Sequence, residues 1–329
     1  MAFRIQKKWH WLVAVAAVFV PGIVTGALTL PFTFSAGQPI RASEVNANFE
    51  ALRAQLAGTP ARPTVGTLTL AGIATPLPIR KFTESVTIPT SGAGATAKPT
   101  FSDVQVVLDV GASDPQLNSD VSNHSPLTSA DVAVGNFALH LTGVALDHLT
   151  VGPAQAGVAQ ETLGMTFQTV QWSWQVGTGP ASVVSYDTVQ SVGGGSSVKS
   201  FSYGYFAPGV VADATYLSVS GYTHDITCPP AAKCAQGPLS VQKAVGSETL
   251  DELGLATGAP SALKVALAWF QTAGTSSNTL QLSNASVVGV ALTTNDDGTF
   301  TESVDFSYGQ ITWLAGAQQT TFVVAGQAT

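Results

Sequence analysis

Glu161-Thr162-Leu163-Gly164-Met165-Thr166-Phe167-Gln168-Thr169-Val170-Gln171-Trp172 and Glu302-Ser303-Val304-Asp305-Phe306-Ser307-Tyr308-Gly309-Gln310-Ile311-Thr312-Trp313 carry one pattern twice. The two glutamates stand 302 − 161 = 141 residues apart, and Leu163/Val304, Met165/Phe306, Phe167/Tyr308, Val170/Ile311 and Trp172/Trp313 keep that offset. Leu141 and Leu282 extend it upstream. Apolar residues alternate from Leu163 to Phe167 and from Val304 to Tyr308, which predicts a strand with one buried face in each copy. The alternation resumes one residue out of phase at Val170/Trp172 and Ile311/Trp313, which predicts a β-bulge at each slip. A pattern recurring at a fixed long offset predicts two homologous β-domains in one chain.

Composition agrees with that reading. The 329-residue chain is long enough for two cores. It is rich in small and β-forming residues, with only 10% charged, which disfavours an extended acidic disordered chain. The net charge of −7 becomes −10 if residues 1–27 leave, since Arg4, Lys7 and Lys8 go with them and no acid does. No basic cluster remains, so nucleic acid is not expected as a partner.

Upstream, residues 1–27 read as a secretory signal. Arg4, Lys7 and Lys8 precede an apolar run from Trp11 to Val20, Pro21-Gly22 breaks it, and Thr25-Gly26-Ala27 offers a small-residue cleavage site. The competing reading is an uncleaved anchor, because Trp11 to Leu30 carries no charge; only in that form is a membrane a partner. Residues 28–64 form a separate segment. Ser43 fits a helix N-cap, and Val45, Phe49, Leu52 and Leu56 fall on one helical stripe that Gly58 and Pro60 stop. A helix this short needs a partner for its stripe: its own β-domain, or copies of itself as an oligomerisation helix. The string from Phe34 to Phe49 resembles a segment found ahead of oligomeric, tail-fibre-like secreted proteins.

The first β-domain is expected over 65–176. Leu68-Thr69-Leu70 and Ile79 to Ile88 read as strands, and Asp114-Pro115 opens a short helix with proline in its first turn. The second is expected over 177–329. Leu68 through Ile73, Lys98 through Leu108, Ser113 through Leu117 and Glu161 through Trp172 together resemble the haemolysin-coregulated protein (Hcp) family, the tube protein of type VI secretion and a relative of phage tail-tube proteins. Val198 through Gly204, Leu239 through Val245 and Glu302 through Trp313 repeat the resemblance. It implies a mainly β fold of small barrels, each with one short helix, and protomers that close into a six-membered ring with an open lumen. It also implies a structural, non-enzymatic role. Family tube proteins are single-domain and lack a cleavable signal, so the secretion role transfers less well than the fold.

Matched through the resemblance, Phe82 to Ser113 spans 31 residues and Phe201 to Ser247 spans 46, which reads as an insertion in the second domain holding Cys228 and Cys234. In an exported chain with two cysteines a disulfide is expected. Its short loop contributes roughly 2–3 kcal/mol in the chain-entropy picture.

The search for chemistry is largely negative. His124, His140, His148 and His224 fall in no metal-binding spacing, and there is no nucleophile elbow. Gly193 through Lys199 lacks phosphate-loop spacing, and Asp297-Gly298 reads as a hairpin turn rather than a calcium loop. Glu161 and Glu302 occupy equivalent places in two domains, so they are not expected to share a cleft. Trp172 and Trp313 lie on the alternating face and are expected to pack in cores. No catalytic residue, cofactor or metal is expected.

Two domains per chain and six per ring predict a homotrimer with a pseudo-hexameric ring, its rings free to stack, exported to the periplasm, cell surface or medium. The alternative is a surface adhesin or carbohydrate-binding module on the same scaffold, with a glycan or cell-surface ligand. An uncharacterised hydrolase is the third reading.

Overall fold

The computed structural model describes residues 63–89, 98–155, 158–227, 235–258 and 262–324. The expected signal peptide, the stripe of Val45, Phe49, Leu52 and Leu56, and the Cys228–Cys234 pair lie outside them.

Hydrogen bonding closes two six-stranded circuits. In the first, β1 (Gly66–Leu70) pairs with β2 (Leu77–Thr87), β2 with β4 (Val104–Asp109), β4 with β7 (Val158–Thr166), β7 with β6 (Phe137–Gln155), β6 with β5 (Pro126–Val134), and β5 with β1. In the second, β11 (Ser200–Phe206), β12 (Leu217–Thr227), β13 (Ala235–Ala244), β16 (Phe300–Ser307), β15 (Thr275–Thr294) and β14 (Leu263–Thr272) close in the same way. Each circuit has a helix after its third strand: α1 (Asp114–Ser122) and α2 (Thr249–Thr257). Ser113 precedes α1 and proline sits in its first turn, as expected. β8 (Thr169–Trp174) and β9 (Ser182–Asp187) extend the first circuit beside β6, with β3 (Thr100–Phe101) on β2 and β10 (Val192–Gly193) on β9. β17 (Gln310–Ala315) and β18 (Gln318–Val323) extend the second. One buried apolar cluster runs through both circuits.

The offset seen in the sequence is a structural offset. Leu139 faces Trp172 and Leu141 faces Val170; Leu280 faces Trp313 and Leu282 faces Ile311. The expected bulge at the phase slip is not there. Two residues separate β7 from β8, and Gly143 and Val144 separate the β6 residues that pair with them, so no extra residue sits on either strand. Both strands slip together at a positive-φ residue of the long strand, Gly143 (φ 59) in the first circuit and Asn284 (φ 52) in the second. Those are the residue types that tolerate this backbone. The one-residue bulge lies further on, between Leu146 and His148 and again between Val287 and Gly289.

The circuits differ at their first strand. β1 is antiparallel to both neighbours, reached by a tight turn through Gly72 (φ 92). β11 is parallel to both. Its connection to β12, Ala207 to Tyr216, is long enough to carry the chain back to the starting end, which a parallel pair requires. β11 therefore stands in the place of β1, and β12 in that of β2. This corrects the matching of Phe201 with Phe82. The register along β13 and β4 makes Tyr222 the counterpart of Phe82. The extra length falls between β11 and β12, and the cysteine segment is the counterpart of the β2–β4 connection rather than an insertion.

Candidate functional site

The two barrels meet edge to edge. β2 and β15 pair antiparallel from Thr83↔Thr293 to Thr87↔Gly289. Ile88 N–H donates to the Val288 carbonyl at 2.8 Å, and Phe82 N–H donates to Thr294 Oγ1 at 2.7 Å. The β15–β16 hairpin turns at Asp297-Gly298, as its sequence predicts, with Asn295 N–H donating to the Thr299 carbonyl at 2.8 Å. It delivers Phe300 to the end of the first barrel, with ring centroids 5.8 Å from Phe82 and 5.5 Å from Phe137.

Each half of this junction has a counterpart elsewhere in the chain. The counterpart of Gly289–Thr293 on β15 is His148–Gly152 on β6. That of Thr83–Thr87 on β2 is Thr223–Thr227 on β12. Among the described residues, β6 there pairs only with β7, and this part of β12 only with β13. Buried residues of the junction become exposed in these counterparts. Leu292 is 1% exposed and Val151 63%; Val86 is 0% exposed and Ile226 51%. Unpaired strand edges bearing apolar side chains are a template for another strand.

A cavity of about 580 Å³ opens at the end of the second barrel, lined by Tyr205, Tyr222, Trp269, Trp313 and Asn278 among others. Trp269 and Trp313 stack at 6.5 Å, and Tyr222 sits edge-on to Trp269 at 5.1 Å. His224 lies against Trp313 at 5.6 Å, its Nε2 2.6 Å from the Tyr308 hydroxyl. Burial lowers the His224 pKa, against the opposing pull of Asp225. Burial also pushes the Tyr308 hydroxyl up to about 12.

The first barrel is plugged at the same end. Trp172, the counterpart of Trp313, is fully buried, stacks on Phe101 at 6.2 Å, and donates from Nε1 to Glu84 at 3.0 and 3.2 Å. Burial raises Glu84 to about 8, and the bond from Trp172 works against it. The expected core placement thus holds for Trp172 and not for Trp313, which is 37% exposed. Trp313 has no counterpart of Phe101 stacked over it among the described residues and stacks with Trp269 instead.

The two cassette glutamates are apart, one per barrel, as expected. Glu302 is paired across the strands with Lys243, whose Nζ lies 3.0 Å from Glu302, 3.1 Å from Glu252 and 3.2 Å from Glu248. Thr249 donates to Glu302, and the Tyr203 hydroxyl donates to Glu252 at 2.6 Å. Burial alone depresses the Lys243 pKa, but the carboxylates outweigh it and the ammonium is raised. Burial and then repulsion from Glu302 hold Glu252 well above the usual carboxylate range. In the first barrel these positions are Leu108, Leu117, Glu161 and Asp114, and burial followed by Asp114 lifts Glu161 to about 7. The sequence reading missed Lys243, Glu252 and the aromatic end. The offset drops from 141 to 269 − 134 = 135 ahead of the long strand, so Val134/Trp269 and Leu117/Glu252 are invisible at the cassette's own spacing.

Asp103, Asp147 and His148 bring ligand atoms within 4.8 Å of one another and offer a shallow cation cradle at the β6 edge. Burial and then Asp147 raise Asp103. Among the described residues no helix is long and apolar enough to cross a membrane.

No family model matches the chain, and no curated protein does. Solved structures do. Hcp1 from Salmonella typhimurium is 14% identical, over 38% of this chain and 95% of its own, with a TM-score of 0.33. A type six secretion system protein is 14% identical over 39% and 98%, TM-score 0.35. A chain of the anti-feeding prophage baseplate is 13% identical over 35% and 96%, TM-score 0.25.

Proposed function

We propose that this chain is an exported, non-catalytic structural protein built from two homologous barrels, three copies of which close into a ring with approximate sixfold symmetry. The observation that carries the proposal is the β2·β15 junction. It joins one barrel to the next head to tail, and among the described residues its two counterpart edges, Thr223–Thr227 and His148–Gly152, pair only with β13 and β7, which supports pairing of these edges between chains. A head-to-tail contact generates a closed ring or an open filament. Closure covers every edge, and three two-barrel chains supply the six positions that the resemblance to tube proteins implies. Stacking of rings into a tube, cleavage of the signal, a Cys228–Cys234 disulfide and help from the Val45/Phe49/Leu52/Leu56 stripe belong to the same reading.

The test is Val151→Pro, which leaves the exposed backbone without its N–H and introduces a ring that an incoming strand cannot accommodate. Light scattering should show the trimer lost while the circular dichroism of the β fold persists. A trimer unchanged by Val151→Pro would place assembly elsewhere.

The second reading is a glycan-binding module. It is favoured by the stacked Trp269/Trp313 pair at an open, partly polar cavity.

A further inference from the structure

We infer that the aromatic end of the second barrel is a socket for the β6–β7 hairpin of a second copy of this chain. The inference rests on the assembly reading above and names the residues that would complete it. Its warrant is the junction inside the chain. There the β15–β16 hairpin leaves the paired edge and inserts Phe300 between Phe82 and Phe137 at the end of the first barrel. The counterparts of Phe82 and Phe137 are Tyr222 and Asn278, and both line the cavity. By sequence offset, the counterpart of the inserting hairpin is the segment that joins β6 to β7. The two hairpins have the same number of residues, since Thr294 and Phe300 stand 141 residues from Pro153 and Ala159, and Gly298 from Gly157, although β6–β7 shifts register after Gly152 and pairs on to Gln155↔Val158. One operation that carries the first barrel onto the second therefore carries Phe300's hairpin into this cavity, as the hairpin of the next chain.

The chemistry of the two surfaces agrees. The segment from Gly152 to Ala159 carries no charge, whereas its counterpart holds Asp296 and Asp297. Val158 is 44% exposed at the start of β7, and Val151 is 63% exposed across the hairpin on β6. A small-residue plug suits a cavity in which Trp269 takes the place of Val134, while Asn278 in the place of Phe137 leaves room beside it. The socket also adjoins the free β12 edge through Tyr222, so pairing of the edges and filling of the cavity are one docking event. A sugar would have to compete with that occupant.

A photoreactive benzophenone amino acid in place of Trp313 tests this in the full chain. Illumination should give a covalent dimer of chains whose cross-linked peptide maps to residues 149–160 of the other copy. Val158→Asp, an exposed position that leaves each barrel intact, should abolish the cross-link and weaken association roughly tenfold or more. Light scattering on the same samples separates the two levels of the account. A trimer whose cross-link maps elsewhere, or that tolerates Val158→Asp, overturns the socket and leaves the ring standing. A monomer at micromolar concentration overturns both. A cross-link prevented by a bound oligosaccharide, with the trimer unaffected, assigns the cavity to a glycan and overturns the socket.

Discussion

Replacing Lys243 by leucine strips from a largely buried group of carboxylates the one cation paired with it among the described residues. Lys243 and Glu252 are 1% and 0% exposed, and three carboxylate oxygens lie 3.0–3.2 Å from Nζ. Removing one partner of a buried ion pair leaves an uncompensated charge and typically costs about 3–5 kcal/mol. The first barrel supplies the repair. Leu108 and Leu117 fill the Lys243 and Glu252 positions there, Leu108 paired with Glu161 as Lys243 is with Glu302. The double substitution Lys243→Leu/Glu252→Leu should therefore recover most of the loss, because two well-packed leucines replace an ion pair whose desolvation offsets much of its attraction. The deficit of the single variant also depends on pH. The folded-state pKa of Glu252 is raised above its unfolded value, so its neutral form favours folding at low pH and that contribution is lost as pH rises. Without the lysine this dependence steepens, and the deficit should shrink below the ordinary carboxylate range and grow toward neutrality. Urea unfolding at several pH values reads this directly, with the midpoint moving and the slope constant. A deficit independent of pH, or a double variant no more stable than the single, would refute the reasoning.

Three further outcomes are expected. Glu84 has its pKa raised from 4.5 to about 8, so its stabilising neutral form is fully present below pH 4.5 and lost as pH climbs through 8. Calorimetry should show the melting temperature of Glu84→Gln falling less between pH 5 and 8 than that of the parent; parallel curves would remove Glu84 from the account. Gly143 has φ 59, and a Cβ there would meet the Gln168 side chain at 2.7 Å. Gly143→Val should cost roughly 1–2 kcal/mol or more, and Gly143→Asn less, following Asn284; equal denaturation midpoints for the two would contradict this. The exported protein should begin at or near Leu28, and its intact mass should be about 2 Da below the reduced value, two hydrogens lost to one disulfide; an intact Met1 or two free thiols would overturn the corresponding expectation.

The β class, the paired cassettes and the hairpin at Asp297-Gly298 were legible because alternation and turn chemistry are local. Leu163, Met165, Val304 and Phe306 are buried on their strands as the alternation requires. The phase slip was visible in the cassette, but its cause was not. It sits partly on the opposing strand, at Gly143 and Asn284, and only strand pairing connects the two. Reversal of β11 was hidden for a similar reason, since Phe201 and Tyr203 point inward whichever way their strand runs. The candidate site was the least legible part. Trp172 and Trp313 share one pattern and opposite exposures, and the difference is Phe101, which stacks on Trp172 and has no counterpart over Trp313 among the described residues. No count of residues along one chain contains the neighbour that would cover Trp313.

The central claim is that the chain's own barrel junction is the unit of a closed ring. The particle mass and symmetry of the exported protein test it most directly. The account predicts three chains per particle in light scattering, and a ring with true threefold and approximate sixfold symmetry in electron micrographs. A monomer at micromolar concentration, or a ring of six chains, would contradict it.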